Sequence, residues 1–588
     1  MKRILKTSKN SVSTLYKPPT FQPLSLPPPG TINLEKSYYH SPNYQENFQD
    51  FQLDYVTLGD TLLHSATSKP DHTAMDFLAE KNSYTWGELL TSSLKLASAL
   101  KKHGLKKSDR VAVWMPNLSS WPVIQMASSL GGFILVPMNP LYTKHESDFV
   151  IKNTQPKAIF TIPNLRGIQP YSKHLSSHPD VLQIYDYQNM FNSEKDELKQ
   201  ENCVDYNEFI NSGCNSGDYF NDATPDDTVL IGHTSGTTGK PKGAKISHFS
   251  LANQGKFGGM RSGLGSDHTR ILCNVPLFHA FGYVGALAIS SVWGITSLFP
   301  APGFDVNASL AATLNNSPTS FFGTPTMFVD FFRGLDKLEK EGKFSMSDFK
   351  IEQAVFGGGL VPPSLAKRCR EMDIGFTIAF GMTDTTAMST GHFIEEKDDE
   401  LLCNTVGIAY DHIELKVVDT DSGIVTDIGD KGEVCIRGYN TMQGYWNDEA
   451  KTREVLDENS WYSTGDLGVM DKNGYLSIVG RSKDMIIRGG ENIYPAEIED
   501  VLREHEKIAD AQVVGRPDER LGEEVAVYVL PKTVGEKVEI EELKQFCSAR
   551  LARFKVPKHW KIVEEYPKTI SGKVQKFILR DESVKDFE

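Results

Sequence analysis

The sequence has little cysteine: seven of its 588 residues are cysteines, and no two of them form a Cys-x-x-Cys pair. They are scattered along the chain, so neither a disulfide framework nor a cysteine-based zinc site is expected. A reducing compartment is the predicted environment, because free thiols persist there.

The chain is also short of positive charge. It has 62 Lys and Arg against 76 Asp and Glu, a formal net charge of −14. This balance argues against nucleic acid as the main partner, since a phosphate backbone repels an acidic surface. The apolar fraction of 39% and the charged fraction of 23% are typical of an ordinary globular protein.

Acidic residues are absent from the N-terminus, where the first is Glu35. Basic residues (Lys2, Arg3, Lys6 and Lys9 among them) and serines fill this region, as in a mitochondrial transit peptide. The alternative is a disordered basic tail that ends in a proline-rich stretch. We treat residues 1–45 as a separate N-terminal segment and leave both interpretations open.

A third absence lies in the interior of the chain: residues 271–304 contain no Asp, Glu, Lys or Arg. Proline, glycine, Asn274 and His279 interrupt this stretch, so it has no long unbroken apolar run. Such a pattern favours a buried helix that lines a cavity, and we predict no transmembrane span.

After residue 50, strand and helix signals alternate. A capping box at Thr85–Glu88 starts a helix, Arg110–Met115 is strand-like, a helix starts near Trp121, and Gly132–Pro137 is strand-like again. The alternation predicts an α/β fold: a large N-terminal domain of several subdomains with mixed and parallel sheets, over residues 46–481. Residues 482–588 are expected to form a small α+β domain of their own.

The sharpest local signal is the segment Thr234–Gly243, which follows the apolar run Val229–Ile231. Glycines let backbone N–H groups approach phosphate oxygens, hydroxyls add donors, and lysines add charge. The spacing differs from that of a Walker A loop, which has Ser or Thr after its lysine where this chain has Pro241. The predicted phosphate-binding residues are Thr234, Ser235, Gly236, Thr237, Thr238, Gly239, Lys240, Pro241 and Lys242.

This loop resembles the phosphate-binding motif of the adenylate-forming superfamily, which includes acyl-CoA synthetases, luciferases and peptide-synthetase adenylation domains. Further motifs of that superfamily follow in its order and cover nearly all of the chain after residue 50: Gly357–Leu360, Ala379–Asp384, Gly432–Gly438, Tyr462–Asp466, Gly480–Asp484 and Ser571–Lys573. The amino-acid sequences of three segments resemble those of mitochondrial medium-chain acyl-CoA synthetases: Gly323–Asp330, Gly480–Pro495 and Thr569–Lys576.

The resemblance implies a ligase that uses ATP to adenylate a carboxylic acid and then passes the acyl group to coenzyme A. It makes residues 46–481 an AMP-binding domain and 482–588 its C-terminal partner domain. Lys573 is the expected catalytic lysine, because it would offset two anions as they meet. The other expected roles are ribose binding by Asp466 and Arg481, α-phosphate contact by Thr383, adenine stacking by Phe380, and an adenine-slot wall formed by Gly358 and Gly359.

Two positions depart from the superfamily pattern. Phe380 stands where Tyr is common, a mild change because stacking does not need the hydroxyl. Asp384 stands where Glu is common, and that Glu carries magnesium in relatives. The resemblance therefore makes Asp384 the predicted Mg²⁺ residue. Because Asp is one methylene shorter than Glu, coordination through a water and reduced activity are the alternatives.

The segment Pro276–Gly282 matches the part of the superfamily that lines the acyl pocket. Amino-acid-activating relatives usually place an Asp there, whereas Phe278 and His279 carry no negative charge. An uncharged acyl or aryl tail is therefore favoured. His279 is a candidate catalytic residue near the carboxylate, and a structural buried histidine is the alternative.

The resemblance also implies motion. The superfamily rotates its C-terminal domain about a hinge residue, which corresponds to Lys483, and the rotation would bring the turn at Gly489 and Gly490 to the pantetheine of coenzyme A. The competing functions are an aryl-acid CoA ligase, a luciferase-like adenylating enzyme and a non-catalytic acyl or nucleotide sensor. The expected location is the mitochondrial matrix, with the cytoplasm as the alternative. The sequence fixes neither the acyl chain length nor the oligomeric state.

Overall fold

The computed structural model describes residues 34–40, 52–163, 165, 175–187, 203–213, 220–234, 241–359, 361–481, 484–488, 491–493, 495–518, 521–533, 538–551, 555–568 and 574–587. The chain divides into two compact units. The first unit holds Tyr39–Leu415 and Ile436–Tyr462, and the second holds Leu34–Tyr38, Lys416–Cys435 and Ser463–Glu588. The domain boundary expected after residue 481 stays a prediction.

In chain order the strands are β1 (Tyr38–His40), β2 (Thr73–Phe77), β3 (Asn82–Thr85), β4 (Arg110–Trp114), β5 (Ile134–Pro137), β6 (Ala158–Thr161), β7 (Leu182–Tyr185), β8 (Cys203–Asp205), β9 (Thr228–Thr234), β10 (Lys242–Ser247), β11 (Arg270–Cys273), β12 (Thr296–Phe299), β13 (Ser320–Gly323), β14 (Gln353–Gly357), β15 (Gly375–Ala379), β16 (Thr390–Gly391), β17 (Ile408–Ala409), β18 (Ile413–Val418), β19 (Lys431–Gly438), β20 (Tyr462–Met470), β21 (Leu476–Arg481), β22 (Ile486–Arg488), β23 (Glu491–Ile493), β24 (Ile508–Asp518), β25 (Gly522–Pro531) and β26 (His559–Ile562).

The α-helices are Leu58–Ser68, Trp86–Lys102, Ser120–Gly131, Lys144–Thr154, Tyr206–Asn211, His248–Arg261, Ala280–Gly282, Ile289–Trp293, Val306–Asn316, Pro325–Lys340, Pro363–Glu371, Asp399–Asn404, Glu449–Val455, Pro495–Arg503, Ile540–Ser548 and Lys576–Asp586. Two short 3₁₀-helices span Met346–Asp348 and Thr383–Thr385, and a π-helix spans Tyr283–Ala288.

Two seven-stranded sheets form the centre of the first unit. Their strand orders are β10-β9-β5-β4-β6-β7-β8 and β15-β14-β13-β11-β12-β2-β3. Each is parallel except for one antiparallel pair at an edge, β9 with β10 and β2 with β3. Helices connect the parallel strands, and β4, β5, β6, β12 and β13 are buried almost throughout, as expected for strands covered on both faces. The predicted α/β architecture is confirmed.

Local sequence signals set several element boundaries. The helix Trp86–Lys102 begins at Thr85, whose hydroxyl accepts from the Glu88 N–H at 3.2 Å while Glu88 accepts from the Thr85 N–H at 2.9 Å. This is the predicted capping box, which satisfies two donors at the helix start. The helix Ser120–Gly131 ends at Gly132, whose φ of +68° suits glycine.

The uncharged stretch 271–304 is buried, as predicted, but it is not one helix. It contains most of β11, three short helical segments from Ala280 to Trp293, and β12. The strands form because β11 and β12 pair in parallel inside the second seven-stranded sheet, a contact that the local pattern could not reveal. Among the described residues, no helix is long and apolar enough to cross a membrane.

Two further sheets lie mostly in the second unit, although β1, β18, β19 and β20 each include residues of the first unit. One has the order β1-β18-β19-β20-β21, and the other has the order β23-β22-β25-β24 with β26 beside β25. The latter, with the helices Pro495–Arg503 and Ile540–Ser548, encloses an apolar core that includes Ile486, Ile498 and Val527. Pro495 is the first residue of its helix, where proline is tolerated because the first turn needs no intrahelical donor there.

Candidate active site

The carboxyl ends of four parallel strands meet at one edge of the second seven-stranded sheet. Cys273 of β11 lies beside Phe322 of β13, Phe322 lies beside Val355 of β14, and Gly357 lies beside Ala379 of β15. Ligands of α/β sheets bind in the crevice outside such strand ends. Two predicted motifs, Gly357–Gly359 and Phe380–Asp384, begin at this edge.

The segment after β15 is a tight turn closed on itself. Phe380, which is half-buried, pairs with Thr390 through two backbone hydrogen bonds of 3.0 and 3.1 Å. Inside the turn, a Cβ atom on Gly381 would stand 2.2 Å from the Ala387 carbonyl oxygen. Only glycine fits there, and this explains the glycine between Phe380 and the short 3₁₀-helix Thr383–Thr385.

The β9–β10 hairpin brings the ends of the predicted phosphate loop to this turn. Thr234 and Lys242 are direct partners across the hairpin. A Cβ atom on Gly232 of β9 would stand 2.5 Å from Thr383 Cγ2, so the hairpin packs directly against the turn after β15. Residues 235–240, which are Ser235, Gly236, Thr237, Thr238, Gly239 and Lys240, lie outside the described residues, and Pro241 is the first described after them.

A segment from a distant part of the chain, Asn440–Trp446, joins the turn to the hairpin. On one side, the Met442 N–H donates to the Asp384 carbonyl at 2.8 Å, and the Thr386 hydroxyl donates to the Asn440 carbonyl at 2.7 Å. On the other side, the Lys245 N–H donates to the Gly444 carbonyl at 3.0 Å, and the Trp446 N–H donates to the Gly243 carbonyl at 2.7 Å. The turn and the hairpin are therefore held in one hydrogen-bonded assembly.

Asp384 is buried inside this assembly, with only 4% of its surface exposed. Its Oδ1 accepts a hydrogen bond of 2.5 Å from the Tyr445 hydroxyl. Burial raises the pKa of the Asp384 carboxyl, although the Tyr445 hydroxyl and the nearby Lys242 ammonium oppose that rise. The Tyr283 ring is also buried nearby, and within the described part of the chain its hydroxyl has no hydrogen-bond partner.

The donors available for the predicted magnesium ion are few. The described residues contain no group of three or more His, Cys, Asp or Glu side chains that could enclose a metal. Asp384 therefore belongs to no such group, although it lies near Lys242 at the end of the phosphate loop. One or two carboxylates together with substrate phosphates are the usual Mg²⁺ ligands at nucleotide sites, so this donor set fits nucleotide-bound magnesium.

The glycine motif after β14 packs against the predicted acyl segment. Gly358 has a φ of +83°, which favours glycine, and Leu360 lies outside the described residues. A Cβ atom on Gly357 would stand 2.8 Å from the Phe281 ring. That ring stacks on Phe322 with a centroid distance of 5.6 Å. The predicted adenine wall and the predicted acyl wall therefore share an aromatic contact.

His279 lies at the start of this acyl wall. It caps the short helix Ala280–Gly282, where its Nδ1 accepts from the Phe281 N–H at 3.3 Å, and its side chain is exposed. The alternative of a buried structural histidine is therefore wrong, because the ring reaches solvent at the helix start. A catalytic role for His279 stays a prediction.

The predicted ribose-binding residues are neighbours in the second unit. Asp466 of β20 and Arg481 of β21 are direct partners across an antiparallel pair. The Asp466 residue is buried, and its N–H donates to Thr464 Oγ1 at 3.0 Å. Of Arg481 only the backbone is described. The pairing agrees with two groups that act on one ligand, but their contact with ribose stays a prediction.

The remaining predicted residues lie outside the described residues: Lys483, Gly489, Gly490 and Lys573. Their flanks are described. Arg488 and Glu491 are paired in an antiparallel hairpin, so Gly489 and Gly490 are the two residues that connect β22 and β23. Lys568 and Val574 likewise form an antiparallel bridge on either side of the segment that contains Lys573.

Three residues at the site were missed by sequence reasoning. Tyr283 and Tyr445 approach Asp384 from other elements, and His233 directly precedes Thr234. Burial lowers the pKa of His233 to about 4, so its ring is neutral near neutral pH. None of the three had a sequence signal that linked it to Asp384 or to the phosphate loop. The φ of +114° at Gly444, which precedes Tyr445, is visible only in the structure.

The class of protein follows from these features. In the first unit, the described ends of a glycine-rich loop and a buried carboxylate lie close to an aromatic residue at the carboxyl edge of a parallel sheet. In the second unit, an acidic and a basic residue are paired on β20 and β21. This set is that of an enzyme that binds and activates a nucleotide.

Comparison with known proteins agrees. A family model described as "AMP-binding enzyme" matches residues 62–446, and one described as "AMP-binding enzyme C-terminal domain" matches residues 497–573. The chain is 35% identical over 583 residues to the Danio rerio protein "Medium-chain acyl-CoA ligase ACSF2, mitochondrial", which covers 95% of this chain and 92% of that protein. It is 33% identical over 566 residues to YngI of Bacillus subtilis (strain 168), which covers 91% of this chain and 98% of that protein.

A solved structure is similar as well. The o-succinylbenzoate CoA synthetase MenE of Bacillus subtilis, in complex with its acyl-adenylate intermediate OSB-AMP, superposes with a TM-score of 0.73 at 26% identity. The match covers 89% of this chain and 97% of that chain. The present chain therefore belongs to the AMP-binding enzyme family, as an acyl-CoA ligase that acts through an acyl-adenylate.

Proposed function

We propose that this enzyme is an ATP-dependent fatty acid–CoA ligase, that its preferred acid is a medium-chain fatty acid, and that it releases AMP and pyrophosphate. The observation that carries the proposal is the wall of the predicted acyl pocket, beside the turn that holds Thr383 and Asp384. Residues 271–304 have no charged side chain and are mostly buried, and Phe281 stacks there on Phe322. Such a wall favours an apolar tail and offers no carboxylate for a substrate ammonium. The similarity to medium-chain ligases supports the same substrate class.

In the first half-reaction, the fatty carboxylate attacks the α-phosphate of ATP. Two anions must be brought together, so the protein has to supply positive charge and donors. The Thr234–Lys242 loop binds the phosphates, the Thr383 hydroxyl contacts the α-phosphate, and Lys573 bridges the two reacting anions. Magnesium bound to the phosphates and to Asp384 would offset further negative charge. Phe380, with Gly358 and Gly359, binds adenine, and Asp466 with Arg481 binds ribose.

In the second half-reaction, the thiol of coenzyme A attacks the acyl-adenylate carbonyl. Lys573 would obstruct this step if it stayed at the α-phosphate. We propose that a backbone change at Lys483 withdraws it, and that the turn at Gly489 and Gly490 then contacts pantetheine. Glycine suits that turn because the backbone can approach a ligand closely. The proposed domains are 46–481 and 482–588.

For the location, we propose the mitochondrial matrix. The basic, serine-containing N-terminal segment supports it, and so do relatives named as mitochondrial. The similarity to a bacterial protein at 33% identity leaves the cytoplasm as the alternative. Fusion of residues 1–45 to a fluorescent protein tests the proposal: import into mitochondria supports it, and a diffuse cytoplasmic signal contradicts it.

The experiment that tests the substrate is a series of straight-chain fatty acids from short to long, run beside aromatic acids with ATP and coenzyme A. The readouts are AMP and the acyl-CoA thioester. We expect both to peak at medium chain length. Higher kcat/KM for aromatic acids would instead favour an aryl-acid ligase, which the similarity to MenE keeps as the second candidate. Absence of pyrophosphate release with every acid would favour a sensor.

A further inference from the structure

Tyr445 occupies the junction of the candidate active site. Its backbone pairs with Ala244 of β10 in an antiparallel bridge, and its N–H donates to Thr452 Oγ1 at 2.9 Å. The whole residue is only 6% exposed, so its ring is held in place by the surrounding residues. Both ends of the aromatic side chain meet charged groups that sequence analysis had assigned to nucleotide binding.

The hydroxyl end contacts the carboxylate. Tyr445 Oη donates to Asp384 Oδ1 at 2.5 Å, a charge-assisted hydrogen bond when Asp384 is ionised. The ring face contacts the cation. Lys242 Nζ lies 5.2 Å from the Tyr445 ring centroid, within the range of a cation–π interaction. One side chain thus contacts the acidic and the basic candidate together.

These contacts restrict where the two charges can lie. Asp384 is in the 3₁₀-helix after β15, and Lys242 is the first residue of β10 after the phosphate loop. No backbone hydrogen bond runs directly between those two elements among those described, whereas the segment Asn440–Trp446 bonds to both. Tyr445 is the member of that segment whose side chain reaches both charges.

We propose that Tyr445 is a positioning residue that fixes the Asp384 carboxylate and the Lys242 ammonium relative to the nucleotide phosphates. This role rests on the proposed function, because it assumes that the site binds ATP. Tyr445 touches no reacting atom; it acts through Asp384 by its hydroxyl and through Lys242 by its ring. The two arms are separable, because Tyr445→Phe removes only the hydroxyl and Tyr445→Leu removes both contacts.

The test is ATP binding by calorimetry on the full chain without any acid present, in EDTA and then in magnesium. For Tyr445→Phe we expect ATP affinity in EDTA within twofold of wild type. The factor by which magnesium raises that affinity should be about tenfold smaller than in wild type. For Tyr445→Leu we expect an additional loss of about fivefold in EDTA, since the cation loses its aromatic partner. The control is Tyr185→Phe, which removes another buried tyrosine hydroxyl, one that donates to Gln183 Oε1 at 3.0 Å in β7.

Two further variants keep each arm falsifiable. Tyr445→Phe combined with Asp384→Asn should bind magnesium-ATP no worse than Asp384→Asn alone, because both changes remove one interaction. Tyr445→Met also removes both contacts and fills the space with a flexible apolar side chain, so it replaces Tyr445→Leu if that variant fails to fold. If Tyr445→Phe matches Tyr185→Phe in EDTA and in magnesium, Tyr445 is only a packing residue and the proposal is overturned. If Tyr445→Leu, or Tyr445→Met in its place, binds ATP in EDTA as tightly as Tyr445→Phe does, the contact between Lys242 and the ring has no role and that part of the proposal is overturned.

The failure of the proposed function is distinct from these results. In that case wild-type protein would not bind ATP, or would form no AMP with any acid, whatever residue stands at position 445. Normal ATP binding and AMP formation by wild type, with no effect of the Tyr445 variants, would overturn the positioning role alone.

Discussion

The groups assigned to the nucleotide are held in two different ways. In the first unit, Thr383 is half-buried and Asp384 is buried, and Asp384 accepts a hydrogen bond from Tyr445, about sixty residues further along the chain. In the second unit, the segment that contains Lys573 belongs to the C-terminal module, which we define as residues 482–588. Its flanks are joined to each other, because Lys568 and Val574 form a bridge and the Gln575 N–H donates to the Pro567 carbonyl at 2.8 Å.

The contrast has a functional meaning. Groups fixed by interior hydrogen bonds cannot change position without loss of packing, and they suit a site that must stay complementary to the phosphates. A group carried by a module with its own apolar core can change position with that module. We therefore expect variants of the module to separate the two half-reactions, and variants of the first unit to weaken nucleotide binding in both.

The largest effect is expected from Lys573→Ala. Loss of the charge that offsets two meeting anions should slow acyl-adenylate formation by about 10²- to 10³-fold, whereas thioester formation from supplied acyl-adenylate should change little. Pyrophosphate release and single-turnover thioester formation measure the two steps. Lys561→Ala, a lysine paired with Asp586 elsewhere in the module, is the control. Equal loss of both steps would remove the contrast between the units.

A smaller effect, in the opposite half-reaction, is expected from Lys483→Pro. Proline fixes φ, so a backbone change at that residue is obstructed. Adenylation should remain measurable, and transfer to coenzyme A should slow by at least about tenfold. Lys483→Ala is the matched control because it removes the side chain and leaves the backbone free. If the two variants behave alike in single-turnover assays, the hinge lies elsewhere.

A moderate effect is expected from the ion pair that anchors the start of the last helix. Lys576 Nζ lies 2.5 Å from Glu499 Oε1, and that buried carboxylate also accepts from the Val513 N–H at 2.8 Å. Because Lys576 follows Lys573 by three residues, Lys576→Met should displace Lys573, the predicted catalytic lysine, and slow adenylation by about fivefold.

The other end of the same helix provides the control. Lys561→Met breaks the 2.6 Å contact with Asp586 at that end, and it should lower the melting temperature without changing adenylation by more than about twofold. Identical adenylation rates in Lys576→Met and Lys561→Met would show that the Glu499 contact is only structural.

The fold could be predicted where the signals are local. The capping box at Thr85, the strand before Thr234 and the proline at the start of the helix Pro495–Arg503 were each indicated by a few adjacent residues, and each is present. The stretch 271–304 was predicted to be a buried helix. Its burial could be predicted because it has no charged residue. Its strands were not, because pairing with β13 and β2 is a long-range contact.

The site divides in the same manner. Phe380, Asp384 and the phosphate loop stand in contiguous motifs, so pattern and resemblance located them. Tyr445 could not be assigned to Asp384 from the sequence, because the hydrogen bond joins residues 61 positions apart. Neither could Tyr283, whose relation to the turn depends on the packing of a π-helix against β9. Contacts of this kind follow from tertiary structure rather than from local propensity.

The smallest effect concerns a second carboxyl group with a raised pKa, that of the half-buried Glu80, and it tests whether a raised pKa is specific to the turn that holds Asp384. Glu80 lies in the first unit, where Oε1 accepts from the Ser119 N–H at 2.9 Å and Oε2 accepts from the Ser119 hydroxyl at 2.8 Å. Burial raises its pKa to about 7. Asp384 shares the raised pKa, but the hydrogen bonds described for Glu80 are to Ser119, whereas Asp384 lies near Lys242 at the end of the phosphate loop. We therefore assign Glu80 a structural role.

The sign of the pH dependence follows from the raised value. Between pH 4.5, the ordinary pKa, and about pH 7, the folded state holds the proton that the unfolded state has lost, so stability falls as pH rises through this window. The raised pKa corresponds to a loss of about 3 kcal/mol in the free energy of unfolding across this window, and solvent screening reduces that loss to roughly 2 kcal/mol. Glu80→Gln keeps one acceptor and one donor for Ser119 and cannot ionise. It should match wild type in melting temperature near pH 4.5, exceed it at pH 8, and leave ATP affinity unchanged at both. Parallel melting curves across this range would contradict the buried-acid assignment, and a loss of ATP affinity would place Glu80 in the site with Asp384.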